Sequence, residues 1–200
     1  MSKSAFRSLV LGAALVLAAA PAFAAPLSYK IDPKHTNVIA TWDHFGFSHP
    51  SASFAQADGT IVYDADHVGQ SSVKVTLPLS GMTSFVAALD KHLGSEDFFD
   101  VAKYPDATFS STRVEAAGDN KLRVIGDLTM HGITKPVVLE VTLNKAGAGR
   151  DGQPRIGFDA TTSIKRSEWG LGMVAPAVSD DVAIRITTEA GVPKADAEQK

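Results

Sequence analysis

From Pro26 onward, the chain is dominated by apolar and polar residues that alternate with a period of two. In Val38-Ile39-Ala40-Thr41-Trp42-Asp43-His44, one face carries Val38, Ala40, Trp42 and His44, and the other carries Ile39, Thr41 and Asp43. Residues 73–77, 122–124 and 182–186 alternate more cleanly. Successive side chains of a strand point to opposite faces, so this pattern predicts antiparallel strands with one buried face and one wet face. Further strands are expected near 53–63, 107–114, 136–143 and 155–165. Turn signals separate the runs at Asp58-Gly59, Gly118-Asp119-Asn120, His131-Gly132 and 147–152. About eight strands result, most of them joined by short hairpins. That count suits a closed antiparallel barrel or a two-sheet sandwich, and periodicity alone does not choose between them.

One segment departs from the pattern. Residues 83–103 read as a helical insert with Thr83 or Ser84 as N-cap and Gly94 as its stop. Phe85, Leu89 and Leu93 recur every four residues and form an apolar stripe that must pack on something. Ser95-Glu96-Asp97 reads as the cap of a further short helical turn, followed by the aromatic pair Phe98-Phe99. Such an insert is placed to plug or cover one end of a barrel.

The ends carry a different signal. Lys3 and Arg7 precede an apolar run over 9–20, and Ala22-Phe23-Ala24 supplies the small residues that signal peptidase requires. The run is short for a bilayer span and Pro21 interrupts it. The expected organisation is an export signal over 1–24 cleaved after Ala24, one domain over 25–190 and a disordered tail over 191–200. The sequence contains no cysteine, which excludes disulfides, thiol catalysis, thiolate metal sites and the cysteine-borne lipid of a lipoprotein. Its formal charge is −3, and loss of Lys3 and Arg7 makes it more acidic. With no basic run, nucleic acid and anionic headgroup surfaces are poor partners. No later apolar stretch is long enough to cross a membrane, so a soluble exported protein is expected.

Candidate chemistry is sparse. There is no phosphate-binding loop, dinucleotide fingerprint, His-Glu-x-x-His or Gly-x-Ser-x-Gly. Nothing marks Ser95 or Ser110 as a nucleophile. Among the six histidines, His44 and His49 have odd spacing, His92 stands beside Lys91, and His131 sits at a hairpin tip before Gly132. Matched ligand sets with supporting carboxylates are not evident. The histidines, His35 included, are read as structural, with no metal, cofactor or catalytic residue expected. Strand parity instead turns Val38, Trp42, Phe54, Ile61, Val73, Val75 and Leu77 inward. Phe109, Leu128, Leu139, Val141, Phe158 and Ile184 join them. Patterning by itself favours a solid core, although Ala40, Ala107 and Ala160 leave room for a guest.

Longer motifs add a resemblance. Leu89-Asp90-Lys91-His92-Leu93, then Ser95-Glu96-Asp97-Phe98-Phe99-Asp100 and Lys103-Tyr104-Pro105, resembles the signature stretch of the YceI-like family, and residues 108–112 continue it. The stretch 126–137 (GDLTMHGITKPV) is similar to the second family signature. Arg166-Ser167-Glu168-Trp169-Gly170-Leu171 and Asp181-Val182-Ala183-Ile184 match the C-terminal pattern. The resemblance covers about 29–190. It departs at Ala40, where relatives commonly carry a large apolar residue, and near Ala52, where they carry glycine; Trp42 and Phe54 redistribute the bulk.

The resemblance implies an eight-stranded, lipocalin-like antiparallel barrel with a helical insert, often dimeric. It also implies a long pore for a polyisoprenoid chain such as a quinone tail, with fatty-acid-type ligands in some relatives. Burying each CH₂ of such a chain is worth roughly 0.8 kcal/mol and needs a dry tube rather than a catalytic group. On this reading Val38, Trp42, Phe54, Val75, Leu77, Phe109, Leu128, Leu139 and Phe158 line the tube. Phe85, Leu89, Phe98 and Phe99 cover or gate it, while Asp90, His92 and His131 anchor the insert and the hairpin. The expected function is a periplasmic, non-enzymatic carrier of a long-chain isoprenoid that meets membranes only transiently and pairs as a homodimer. The alternatives are an enzyme acting on such a lipid and a ligand-free stress-response or interaction barrel.

Overall fold

The computed structural model describes residues 26–194. The expected export signal, its cut after Ala24 and the end of the expected tail lie outside them. Eleven strand segments form one sheet. They are β1 (Leu27–Ile31), β2 (Asn37–His44), β3 (Ser51–Phe54), β4 (Asp58–Tyr63), β5 (Ser72–Pro78) and β6 (Met82–Thr83), then β7 (Asp106–Ala116), β8 (Lys121–Met130), β9 (Ile133–Ala148), β10 (Pro154–Lys165) and β11 (Val178–Gly191). One helix, α1 (Ala87–Leu93), separates β6 from β7.

The eleven segments make eight staves. One edge of β11 carries β10; the other carries β2 opposite Val178 to Thr187 and then β1 opposite Ala190 and Gly191. β1 and β2 are therefore two lengths of one strand, interrupted at 32–36. β3 and β4 pair with β2 and β1 in turn, and β6 and β5 pair with β3 and β4. From there β5, β7, β8, β9, β10 and β11 follow in chain order, every pairing antiparallel. The result is a closed eight-stranded barrel, which leaves no long free edge for another chain to pair with. The strand expected over 53–63 is thus broken at 55–57, where Gln56 has φ 63°. Asp58-Gly59 is not a turn. Gly59 lies in the ladder opposite Val75, where a Cβ would fall 2.2 Å from the Lys74 carbonyl oxygen. The ladder also runs into the expected tail, since Gly191 pairs with Lys30 and the Val192 N–H donates to Pro154 O at 3.0 Å.

Inside the barrel, buried side chains fall into two clusters. The far half gathers Tyr29, Ile31, Ile61, Val124, Ile156 and Phe158. The insert half gathers Phe54, Leu79, Leu93, Met130, Ile164 and Trp169. Leu77 and Leu139 pack against both.

The insert differs from the expected helix at both ends. Val86, not Thr83 or Ser84, occupies the N-cap position and makes no side-chain cap bond. The bond runs the other way: the Asp90 carboxylate accepts the Ser84 N–H at 2.5 Å, the Ser84 Oγ–H at 2.5 Å and the Thr83 Oγ1–H at 3.1 Å. Phe85 has φ 65°, a backbone state unfavourable for a bulky residue, and this turns it out of the Leu89 and Leu93 stripe. Gly94 does end α1. Beyond it the chain makes consecutive turns instead of a second helix, and Ser95 Oγ donates backward to His92 O at 2.7 Å.

Candidate functional site

The two clusters do not fill the barrel. A cavity of about 540 Å³ runs through both of them. Its wall comes from the inward rows of the strands. β10 contributes Phe158, Ala160, Thr162 and Ile164, and the same even-numbered row ends at Arg166, the first residue past the strand. β9 contributes Val137, Leu139 and Val141. On β7 the register shifts between Ser111 and Arg113, so Phe109 and Val114, of opposite parity, both face inward. Gly126 on β8 makes room for Phe109, since a Cβ there would lie 2.4 Å from its ring.

Twelve of the thirteen residues expected to contact a guest lie on this wall. Val38, Trp42, Phe54, Val75, Leu77 and Phe109 do so, with Leu128, Leu139, Phe158, Leu89, Phe98 and Phe99. Phe85 is the exception. It is 83% exposed and borders a separate outer hollow with Pro50 and Val86, so it gates nothing from within. The left-handed backbone that places it there leaves no trace in a four-residue apolar repeat.

Sequence reading missed the residues that finish the insert end. A 3-10 turn over Arg166–Trp169 stops at Gly170 with φ 77°. The turn folds Trp169 back into the barrel at 1% exposure, with Nε1 donating to Leu128 O at 3.2 Å. Met173 and Val174 from the following loop, Val178 at the start of β11, and Phe45 from the β2–β3 loop complete the wall there. The two loops are joined by the Phe45 N–H, which donates to Ala177 O at 2.9 Å. Phe45, Phe47, Met173 and Val174 are exposed, giving this end an apolar rim. At the far end the wall finishes at Tyr63, Ser71, Ser72 and Thr188.

Among the described residues, the lining includes no Asp, Glu or Lys. Its polar members are mostly occupied within the protein. Thr36 and Thr188 share a hydrogen bond of 2.9 Å between their hydroxyls. Arg166 is 8% exposed and donates from Nε to Ser179 O at 2.8 Å, from Nη2 to Val178 O at 2.9 Å and from Nη1 to Leu171 O. Desolvation holds its guanidinium pKa below the ordinary arginine value, and Asp180 opposes this only in part. Burial likewise raises the Tyr63 phenol, whose ring meets Phe158 edge-on at 5.8 Å.

The histidines are distributed among local contacts. His131 Nδ1 donates to Trp169 O at 2.9 Å and its ring packs on Tyr104 at 4.9 Å, fastening the β8–β9 hairpin to both the insert and the 3-10 turn. His92 packs on Phe98 and His44 on Phe45, both edge-on. His35, Asp32 and Glu189 lie close enough to share a cation. Arg155 already serves that group, bonding Glu189 at 2.6 Å and approaching Asp32 at 3.9 Å.

Comparison with known proteins gives a consistent picture. The YceI-like domain family matches residues 29–190. A UPF0312 protein of Pseudomonas putida is 42% identical over 173 residues, covering 86% of this chain and 88% of its own. One from Pseudomonas syringae pv. tomato is 38% identical over 194 residues, covering 97% and 100%. Among solved structures, Burkholderia cenocepacia BcnA superposes with a TM-score of 0.73 at 26% identity, over 80% of this chain and 99% of its own. The Campylobacter jejuni YCEI protein gives 0.69 at 28% identity, over 76% and 90%. A polyisoprenoid binding domain from Saccharophagus degradans, implicated in plant cell wall breakdown, shares the fold with a TM-score of 0.63 at 12% identity, over 82% and 98%.

Proposed function

The chain belongs to the YceI-like family, and we propose that it is a non-enzymatic binding protein holding a long-chain isoprenoid, quinone-type or polyprenyl, inside its barrel. The observation that carries this reading is the continuous apolar cavity through both clusters, walled without a single carboxylate or lysine. Such a wall suits a ligand that is apolar along most of its length. It rewards an apolar chain by roughly 25 cal/mol for each Å² of surface removed from water. The cavity also counts against a ligand-free barrel, in which side chains would fill the interior. The Saccharophagus degradans domain of the same fold, described as polyisoprenoid binding, supports the class of cargo.

The expected N-terminal export signal supports the periplasm as the place of action, where a lipid between two membranes needs shelter from water. Membrane contact in this reading is transient and made by the apolar rim of Phe45, Phe47, Met173 and Val174. Pairing of two copies is carried by the family resemblance and is checked by light scattering after size-exclusion chromatography.

Native mass spectrometry of protein purified from the periplasm, with organic extraction, tests the proposal. A stoichiometric isoprenoid or acyl species supports it and identifies the cargo. Protein at its bare mass, unchanged after incubation with quinones and fatty acids, overturns it in favour of an interaction barrel.

A further inference from the structure

Among the described residues, Arg166 is the one permanently charged side chain on the cavity wall, and it stands in a specific place. It continues the inward row of Phe158, Ala160, Thr162 and Ile164 by one step, at the end finished by Leu171, Met173 and Val178. Its three protein partners are neutral backbone carbonyls, and none of the described ion pairs involves it. The nearest carboxylate influence comes from Asp180, whose oxygens are taken by the Ser167 N–H at 2.8 Å and the Ser167 Oγ–H at 2.7 Å. A guanidinium has five N–H donors, so two stay uncommitted after these three bonds. A buried cation with only neutral partners is electrostatically incomplete, and a counter-ion in the same low-dielectric surroundings gains far more from it than in water.

We propose that Arg166 is a head-group site: the cargo is an acidic amphiphile, with a terminal carboxylate or phosphate on Arg166 and its apolar chain running along Ile164 and Ala160 toward Phe158. The inference rests on the binding-barrel reading above and narrows it, because a neutral head would leave the guanidinium without its anion. Arg suits this task through its fixed fork of donors, which meets carboxylate and phosphate oxygens two at a time.

The test uses three ligands with the same sixteen-carbon chain, ending in a carboxylate, a phosphate or an alcohol, titrated into the purified mature protein at neutral pH. The expected result is that at least one of the two anions binds about tenfold tighter than the alcohol or better, the usual margin of a charge-assisted hydrogen bond. Which anion gains more distinguishes a carboxylate cargo from a phosphate one. Arg166→Met is expected to collapse that ratio toward one, and Arg166→Lys to restore part of it. Equal affinities in the unaltered protein overturn the proposal. So does a ratio that survives in Arg166→Met while all three affinities fall together, the mark of a merely structural arginine. If Arg166→Met does not fold, the unaltered protein still decides, because a carboxylate preference must vanish as pH falls and the ligand is protonated while alcohol binding does not follow. Failure of all three ligands, and of quinones, to bind overturns the binding-barrel reading itself and the head-group site with it.

Discussion

The two halves of the barrel are built by different rules. In the far half, every neighbour in the ring is hydrogen-bonded, and β1 closes on β11 through Ile31 and Ala190. On β10 its core follows alternation, with Ile156, Phe158 and Ala160 all buried on one row. In the insert half, three adjacent staves are interrupted and α1 with its flanking turns stands beside β6. Phe45, Phe85 and Val174 there adopt positive φ, and all three are exposed. Each leaves much of its side chain in solvent, and strain of this kind collects where a protein meets something else. The far half is organised for stability and the insert half for access.

The largest test of that contrast is Ile156→Ala. The side chain is 1% exposed in the far cluster, and its truncation is expected to destabilise the protein by about 3 kcal/mol in chemical denaturation. A loss below about 1 kcal/mol would mean that the far half is not the foundation. A smaller effect, present at neutral pH and shrinking in acid, is expected from Asp90→Asn in the insert. Hydrogen bonds from Ser84 and Thr83 hold the Asp90 carboxyl below its ordinary value of 3.8. A depressed carboxyl contributes stability above its unfolded pKa and loses it as pH falls through the folded value. Asp90→Asn should therefore flatten the stability profile below about pH 4, followed by a probe in the insert, and a profile unchanged from the parent's would sink the idea. The smallest expected effect is Phe85→Ser. At 83% exposure it should leave unfolding within about 0.5 kcal/mol of the parent. A cost near that of Ile156→Ala would erase the distinction between the halves.

Legibility in the sequence follows the regularity of the backbone. Alternation alone predicts the strands, because a period of two is what a half-buried strand requires. It also found most of the wall, since the wall is the inward row of those strands. What alternation left open, barrel against sandwich and hollow against solid, was supplied by the resemblance in the 89–105, 126–137 and 166–171 motifs. The misreadings lie where the backbone leaves the ideal. Left-handed φ at Phe85 removed it from an apparently perfect stripe. A break at 55–57 was mistaken for a turn at Asp58-Gly59. Val114 was not called inward, because the register shift after Ser111 reverses parity. Arg166 belongs to a recognised motif, but its place on the wall is not legible, because a charged residue just past a strand reads as the point where the buried row stops. Here the row goes on.

The closure of β1 on β11 has a consequence for how the molecule must form. Thr36 and Thr188, hydrogen-bonded across the seam, are 152 residues apart in the chain. Every other stave can find its partner as soon as the next hairpin exists, but this pairing waits for the last strand. Loop closure over such a span carries an entropic cost that local contacts do not share, and folding dominated by it is slow. Until β11 arrives, the sheet has two open edges and its apolar inner face is in contact with solvent. A chain shortened by its last strand therefore loses the vessel altogether, not one-eighth of it.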